Sequence, residues 1–113
     1  MLVDTKGKKF YENQVQCLIS GDSNRLVEEN YLPNATVQSY DWNVSGHKQL
    51  KLHFSKYMSK VAIEEVLSTD HFVETDNVIW FEATIKSSLG VLKVYDVMTL
   101  KDGKIINHFA GTR

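Results

Sequence analysis

The feature that most constrains this chain is a change of hydrophobic period near residue 61. Before it, apolar residues recur every three or four positions. After it, they alternate with polar ones or run in β-branched and aromatic stretches. A period of 3.6 specifies amphipathic helices and a period of 2 specifies half-buried strands. Helices followed by strands predict an α+β domain, with three N-terminal helices packed on a curved antiparallel sheet of about five to six strands.

Within the first half, Tyr11, Val15, Leu18 and Ile19 form one apolar stripe. Gly21 is placed to end that helix, because glycine accepts the left-handed conformation without steric cost. Asp22 caps a second helix that buries Leu26, Val27 and Tyr31 and stops at Pro33-Asn34. Residues 35–40 read as a short strand and 41–44 as a loop carrying Trp42. Ser45 is placed to cap a third helix, whose stripe is Leu50, Phe54, Tyr57, Met58 and Val61. Segments 62–74, 78–87, 91–100 and 104–112 are strand-like. Asp102-Gly103 between the last two predicts a type I′ hairpin, which needs positive φ at both central residues. The last three long strands therefore form an antiparallel meander. The expectation is one domain over residues 1–113, since domains commonly run to ~100–150 residues.

Charge narrows the partners. With 13 basic and 14 acidic residues the net charge is −1, and no basic stripe of the kind that marks a nucleic-acid binder is present. No apolar run reaches the ~20 residues of a membrane span, and the N-terminus lacks the apolar core of a signal peptide. Cys17 is the only cysteine, so an intrachain disulfide is impossible and a cytoplasmic setting is expected. The tripeptides at Asn34 and Asn43 then count as chance glycosylation matches. No phosphate loop, nucleophile elbow or CxxC motif occurs. His47 and His53 do not share a helix face at metal-ligand spacing, and neither metal nor cofactor is expected.

One residue breaks the strand pattern. Leu92, Val94, Asp96, Met98 and Leu100 share a face of the 91–100 strand, so Asp96 stands where an apolar side chain is called for. A carboxylate buried there costs several kcal/mol unless it is paired, hydrogen-bonded or protonated. The same environment tunes a catalytic acid or base, although a carboxylate held only for structure fits the pattern equally well. Tyr11, Gln14, Trp42, Tyr57 and His108 are candidate companions. The opposite face of that strand, with Val91, Tyr95 and Val97, is also apolar, and a second copy of the sheet is its expected cover.

Taken in order, Leu18-Ile19-Ser20-Gly21-Asp22, Asn34-Ala35-Thr36-Val37, Ser45-Gly46, Tyr95-Asp96-Val97 and Lys101-Asp102-Gly103-Lys104-Ile105 resemble the nuclear-transport-factor-2-like superfamily. The nearest resemblance is to its SnoaL-like and ketosteroid-isomerase-like branch, over about residues 8 to 112. It implies a cone-shaped sheet that encloses one apolar pocket with the helices and commonly dimerises through its outer face. The isomerase's general-base Asp falls at Ser39, its oxyanion-hole Tyr at Gln14 and its second pocket Tyr at Phe54. Only the oxyanion-hole Asp has a match, at Asp96, and that protonated Asp is a standard example of an acid kept neutral by an apolar site. Steroid isomerisation by that mechanism is therefore not expected.

Two functions fit this sequence. The first is an isomerase, cyclase or hydrolase-type enzyme on a small hydrophobic carbonyl compound, with Asp96 catalytic and Tyr11, Gln14, Ser39, Trp42, Phe54, Met98 and His108 lining the site. The second is a non-catalytic binding or dimerisation module built on the same pocket.

Overall fold

A computed structural model describes residues 5–113. Helix α1 (Lys6–Ser20) starts at Thr5, whose side chain accepts from Lys8 N, and ends at Gly21 with φ 75°. Its first turn is also held from outside, where Gly7 N donates to Glu74 Oε2 at 3.1 Å and Thr5 Oγ1 donates to Oε1. Gly7 leaves room for that carboxylate, since a Cβ there would collide with it. The carboxylate also suits the positive end of the helix dipole.

Helix α2 (Ser23–Asn30) is capped by Asp22 as expected. It ends before Tyr31, where strand β1 (Tyr31–Gln38) begins. The strand thus starts four residues earlier than the expected Ala35 and runs through Pro33. The register with its neighbour shifts between Tyr31 and Thr36, so the proline lies where the strand's hydrogen bonding is interrupted. A three-residue strand β2 (Asn43–Ser45) replaces the end of the expected loop. Helix α3 (His47–Lys60) has Gly46, not Ser45, at its N-cap, with no side-chain cap bond. Ser45 Oγ is engaged with Thr36 Oγ1 instead, and Ser45 N donates to Gln49 Oε1.

Strands β3 (Ile63–Glu74), β4 (Val78–Ser87), β5 (Gly90–Lys101) and β6 (Lys104–Thr112) complete a six-stranded sheet in the order β2-β1-β6-β5-β4-β3. Asp102 and Gly103 have φ of 53° and 80°, the positive values a type I′ turn requires. All pairings are antiparallel except β1 with β6, which is parallel, so the sheet is mixed. Sequential hairpins dominate the rest, and only the return of β1 past the helices to the last strand creates the parallel edge.

The sheet is curved and unclosed. The register of β3 against β4 shifts three times, at Ile63/Glu65, Val66/Ser68 and Thr69/His71. Each shift inserts a residue on β3, bending the strand and increasing its twist. The concave side packs on the helices around Leu26, Val27, Tyr31, Leu50, Ile79, Met98 and Ile105, all nearly inaccessible. Helix α1 turns Tyr11, Gln14 and Cys17 fully inward, whereas Ile19, expected in its apolar stripe, is 37% exposed. The buried arc is therefore rotated toward a polar residue, Gln14.

Candidate functional site

Curvature leaves space between the sheet and helices α1 and α3. The result is a cavity of about 490 Å³, within the ~300–1,000 Å³ usual for small-molecule sites. Tyr11, Gln14, Ser39, Trp42, Phe54, Asp96, Met98 and His108 all line it. Most of the remaining wall is apolar, from Val37, Phe81, Ala83, Ile85 and Val94 among others.

Asp96 reaches the cavity from the concave face of β5, opposite Ala110 of β6. Met98 is opposite His108, so Asp96 and His108 are diagonal neighbours on one face. Their side chains meet at 2.6 Å, Nε2 to Oδ2. His108 is 3% exposed. Its other ring nitrogen, Nδ1, is 2.8 Å from the hydroxyl of the fully buried Tyr31. That hydroxyl also accepts from Gln14 Nε2 at 2.9 Å. Gln14 Oε1 accepts from Asn30 Nδ2 at 2.8 Å, and Asn30 Oδ1 from Asn13 Nδ2 at 3.0 Å.

Proton counting gives this chain a direction. Tyr31 has one hydroxyl proton and already accepts from Gln14, so leaving that buried proton bonded requires it to donate to His108 Nδ1. Nδ1 is then an acceptor, and the neutral imidazole carries its proton on Nε2, donating to the Asp96 carboxylate. Every donor from Asn13 onward points toward Asp96, whose Oδ2 ends the chain as an acceptor. Among the described residues Oδ1 of Asp96 has no partner. No fully buried side-chain polar atom there is left unsatisfied, so this oxygen is reached from the cavity.

Other polar groups face the same space. Tyr57, a candidate companion of Asp96 that also falls on the apolar stripe of α3, lines the cavity, and its hydroxyl has no partner among the described residues. Burial, reinforced by the charge of Asp96, pushes its pKa up to about 12, so it remains a hydrogen-bond donor at neutral pH. Burial, then the neighbouring His108, lowers the pKa of His53, whose ring packs 4.5 Å from that of Trp42. Tyr11 is occupied, 2.9 Å from Thr69 Oγ1, and presents its ring beside Phe72 and Phe81. Phe54 tilts against Tyr31 at 5.5 Å, and Trp42 is 37% exposed.

The expected lining residues and the candidate companion Tyr57 thus converge on one cavity, while His53, Lys56 and Lys60 also line it and Tyr31 supports it. By its sequence Tyr31 belongs to the inward side of the second helix, and that placement gives no hint of a bond to His108 from the head of a strand. Among the described residues no cluster of three or more His, Cys, Asp or Glu side chains could hold a metal ion, and no helix is long and apolar enough to cross a membrane.

No family model and no curated protein sequence matches this chain. Solved structures do resemble it. An NTF2-like protein from Anabaena variabilis superposes with a TM-score of 0.78 at 15% identity, over 100% of this chain and 94% of that one. A proposed polyketide cyclase from Sinorhizobium meliloti gives 0.76 at 13% identity, over 91% and 94%. A de novo designed protein with a curved β-sheet gives 0.80 at 13% identity, over 99% and 88%. Such identities establish a fold. A designed chain among the matches underlines that the fold alone specifies no chemistry.

Proposed function

Starting from this nuclear-transport-factor-2-like fold, we propose that the protein is an enzyme of isomerase, cyclase or hydrolase type acting on a small hydrophobic carbonyl compound, with Asp96 as general base. The observation that carries the reading is the Asp96 carboxylate itself. One oxygen is held by His108 and the other opens on a largely apolar cavity of about 490 Å³. A carboxylate in that setting can take a proton from carbon next to a carbonyl, because His108 holds it in place and the apolar wall keeps bulk water away. The Tyr57 hydroxyl supplies a hydrogen bond to the carbonyl oxygen as negative charge develops on it. Where the proton or the carbanion goes next separates isomerisation from cyclisation. The proposed polyketide cyclase among the structural neighbours is consistent with such chemistry.

The test is hydrogen–deuterium exchange at the α-carbon of a panel of apolar ketones and dicarbonyls, followed by NMR in heavy water. The folded wild type should accelerate exchange for at least one compound, and Asp96→Asn should lose roughly 100-fold or more of that acceleration. Binding by both proteins without exchange by either would sink the enzyme reading in favour of a non-catalytic binder. One observation favours that second reading. Gln14, at the place of the isomerase's oxyanion Tyr, is bonded through its nitrogen to Tyr31 and through its oxygen to Asn30, and Ser39 stands in place of its base.

The same proposal has two copies pair through the outer face of the sheet, where Val91 is 63% and Val73 52% exposed.

A further inference from the structure

We propose that the ligand of this cavity is an amphipathic anion, with its apolar body inside and its acidic head at the mouth between Lys56 and Lys60. This rests on the cavity being a ligand site, as argued above, and adds the charge and orientation of what enters it. Among the described residues only three Asp, Glu, Lys or Arg side chains line the cavity: Asp96, Lys56 and Lys60. Both lysines are exposed, so they stand where the cavity meets solvent, and they lie four residues apart on one face of α3.

Lys60 by itself would be the ordinary cation of a helix's last turn. Lys56, a turn earlier on the same face, is not explained in that way. Among the described residues neither ammonium has an acidic partner, since the Lys and Arg ion pairs there use Arg25, Lys51 and Arg113. Two uncompensated cations bordering an apolar wall match an anionic head carried on an apolar body. The remaining charge acts in the same sense. Asp96 would repel an acidic head inserted first, so the neutral end of the ligand is the one that reaches its free oxygen. The reacting carbonyl is thus placed away from the acid, and the substrate class becomes an acid-bearing apolar carbonyl compound.

A matched pair of fluorescent probes tests this. Anilinonaphthalene sulfonate and the uncharged N-phenylnaphthylamine share an apolar body and differ in the anionic head. Each is titrated into wild type and into the Lys56→Ala/Lys60→Ala double variant, with circular dichroism confirming that both are folded. Wild type should bind the sulfonate more tightly than the neutral probe. The double variant should weaken the sulfonate roughly fivefold or more and leave the neutral probe unchanged. Raising NaCl from about 50 to about 500 mM should reproduce that loss in wild type alone. If the neutral probe binds and the double variant holds both probes as wild type does, the proposal is overturned while the cavity remains a ligand site. If folded wild type binds neither probe, the ligand-site reading fails with it.

Discussion

Replacing Tyr31 with Phe removes one oxygen from the core and keeps the ring. Tyr31 is fully buried, and its hydroxyl accepts from Gln14 at 2.9 Å and donates to His108 at 2.8 Å. Loss of the two bonds costs about 1 kcal/mol each. Stranding the Gln14 N–H and the His108 nitrogen in the core adds about 1–2 kcal/mol. The expected loss is therefore about 3–4 kcal/mol. A chain of 113 residues has an unfolding entropy of about 0.24 kcal/mol/K, so 1 kcal/mol corresponds to about 4 °C in Tm. A fall of roughly 12–16 °C follows, with a matching drop in the urea midpoint at unchanged slope. Tyr57→Phe is the internal control. Its hydroxyl has no protein partner among the described residues, so its removal should change stability by less than ~0.5 kcal/mol. Both variants are measured by urea unfolding followed by circular dichroism. The directed chain is refuted if Tyr31→Phe loses less than ~1 kcal/mol, or if Tyr57→Phe loses as much as Tyr31→Phe.

Two further expectations follow from the same groups. Burial and His108 hold the His53 imidazole below its ordinary value, so the unfolded chain binds that proton first as pH falls. Between about pH 6.5 and the lower folded value the unfolded state carries more protons at this site, and stability drops as acid is added. His53→Asn should flatten that part of the stability–pH profile, and an identical slope in both proteins would contradict the assignment. For the outer sheet face, sedimentation at micromolar concentration should give a dimer that Val91→Glu weakens, whereas a wild-type monomer would remove the proposed pairing.

The helices, the meander and the inward Asp96 were legible in the chain because each depends on a local signal. Asp22 caps, Gly21 stops, Asp102-Gly103 turns, and a period of two sets the faces of β5. The parallel pairing of β1 with β6 was not legible, because it joins segments nearly seventy residues apart with no turn between them to set the register. Gln14 shows the limit of an apolar stripe. It is a candidate lining residue beside Asp96, but its partners, Tyr31 and Asn30, lie on other elements and no local pattern announces them.

The clearest division between sequence and tertiary structure lies at His108. Counting back from the two-residue turn, Lys101 pairs with Lys104 and Leu100 with Ile105. Continued without interruption, that register would set His108 opposite Val97, on the outer face. The register instead shifts by one residue between Thr99 and Leu100, so Thr99 pairs with Asn107 and Met98 with His108. The extra residue in β6 is a bulge, and a one-residue slip exchanges the two faces of a strand. The alternation of β5 by itself determined that a carboxylate points inward. Whether an imidazole would be there to meet it depended on a bulge that the sheet's curvature favours and no local pattern in β6 announces. With His108 turned inward, the carboxylate that the sequence left unexplained has a partner on one oxygen and open space at the other.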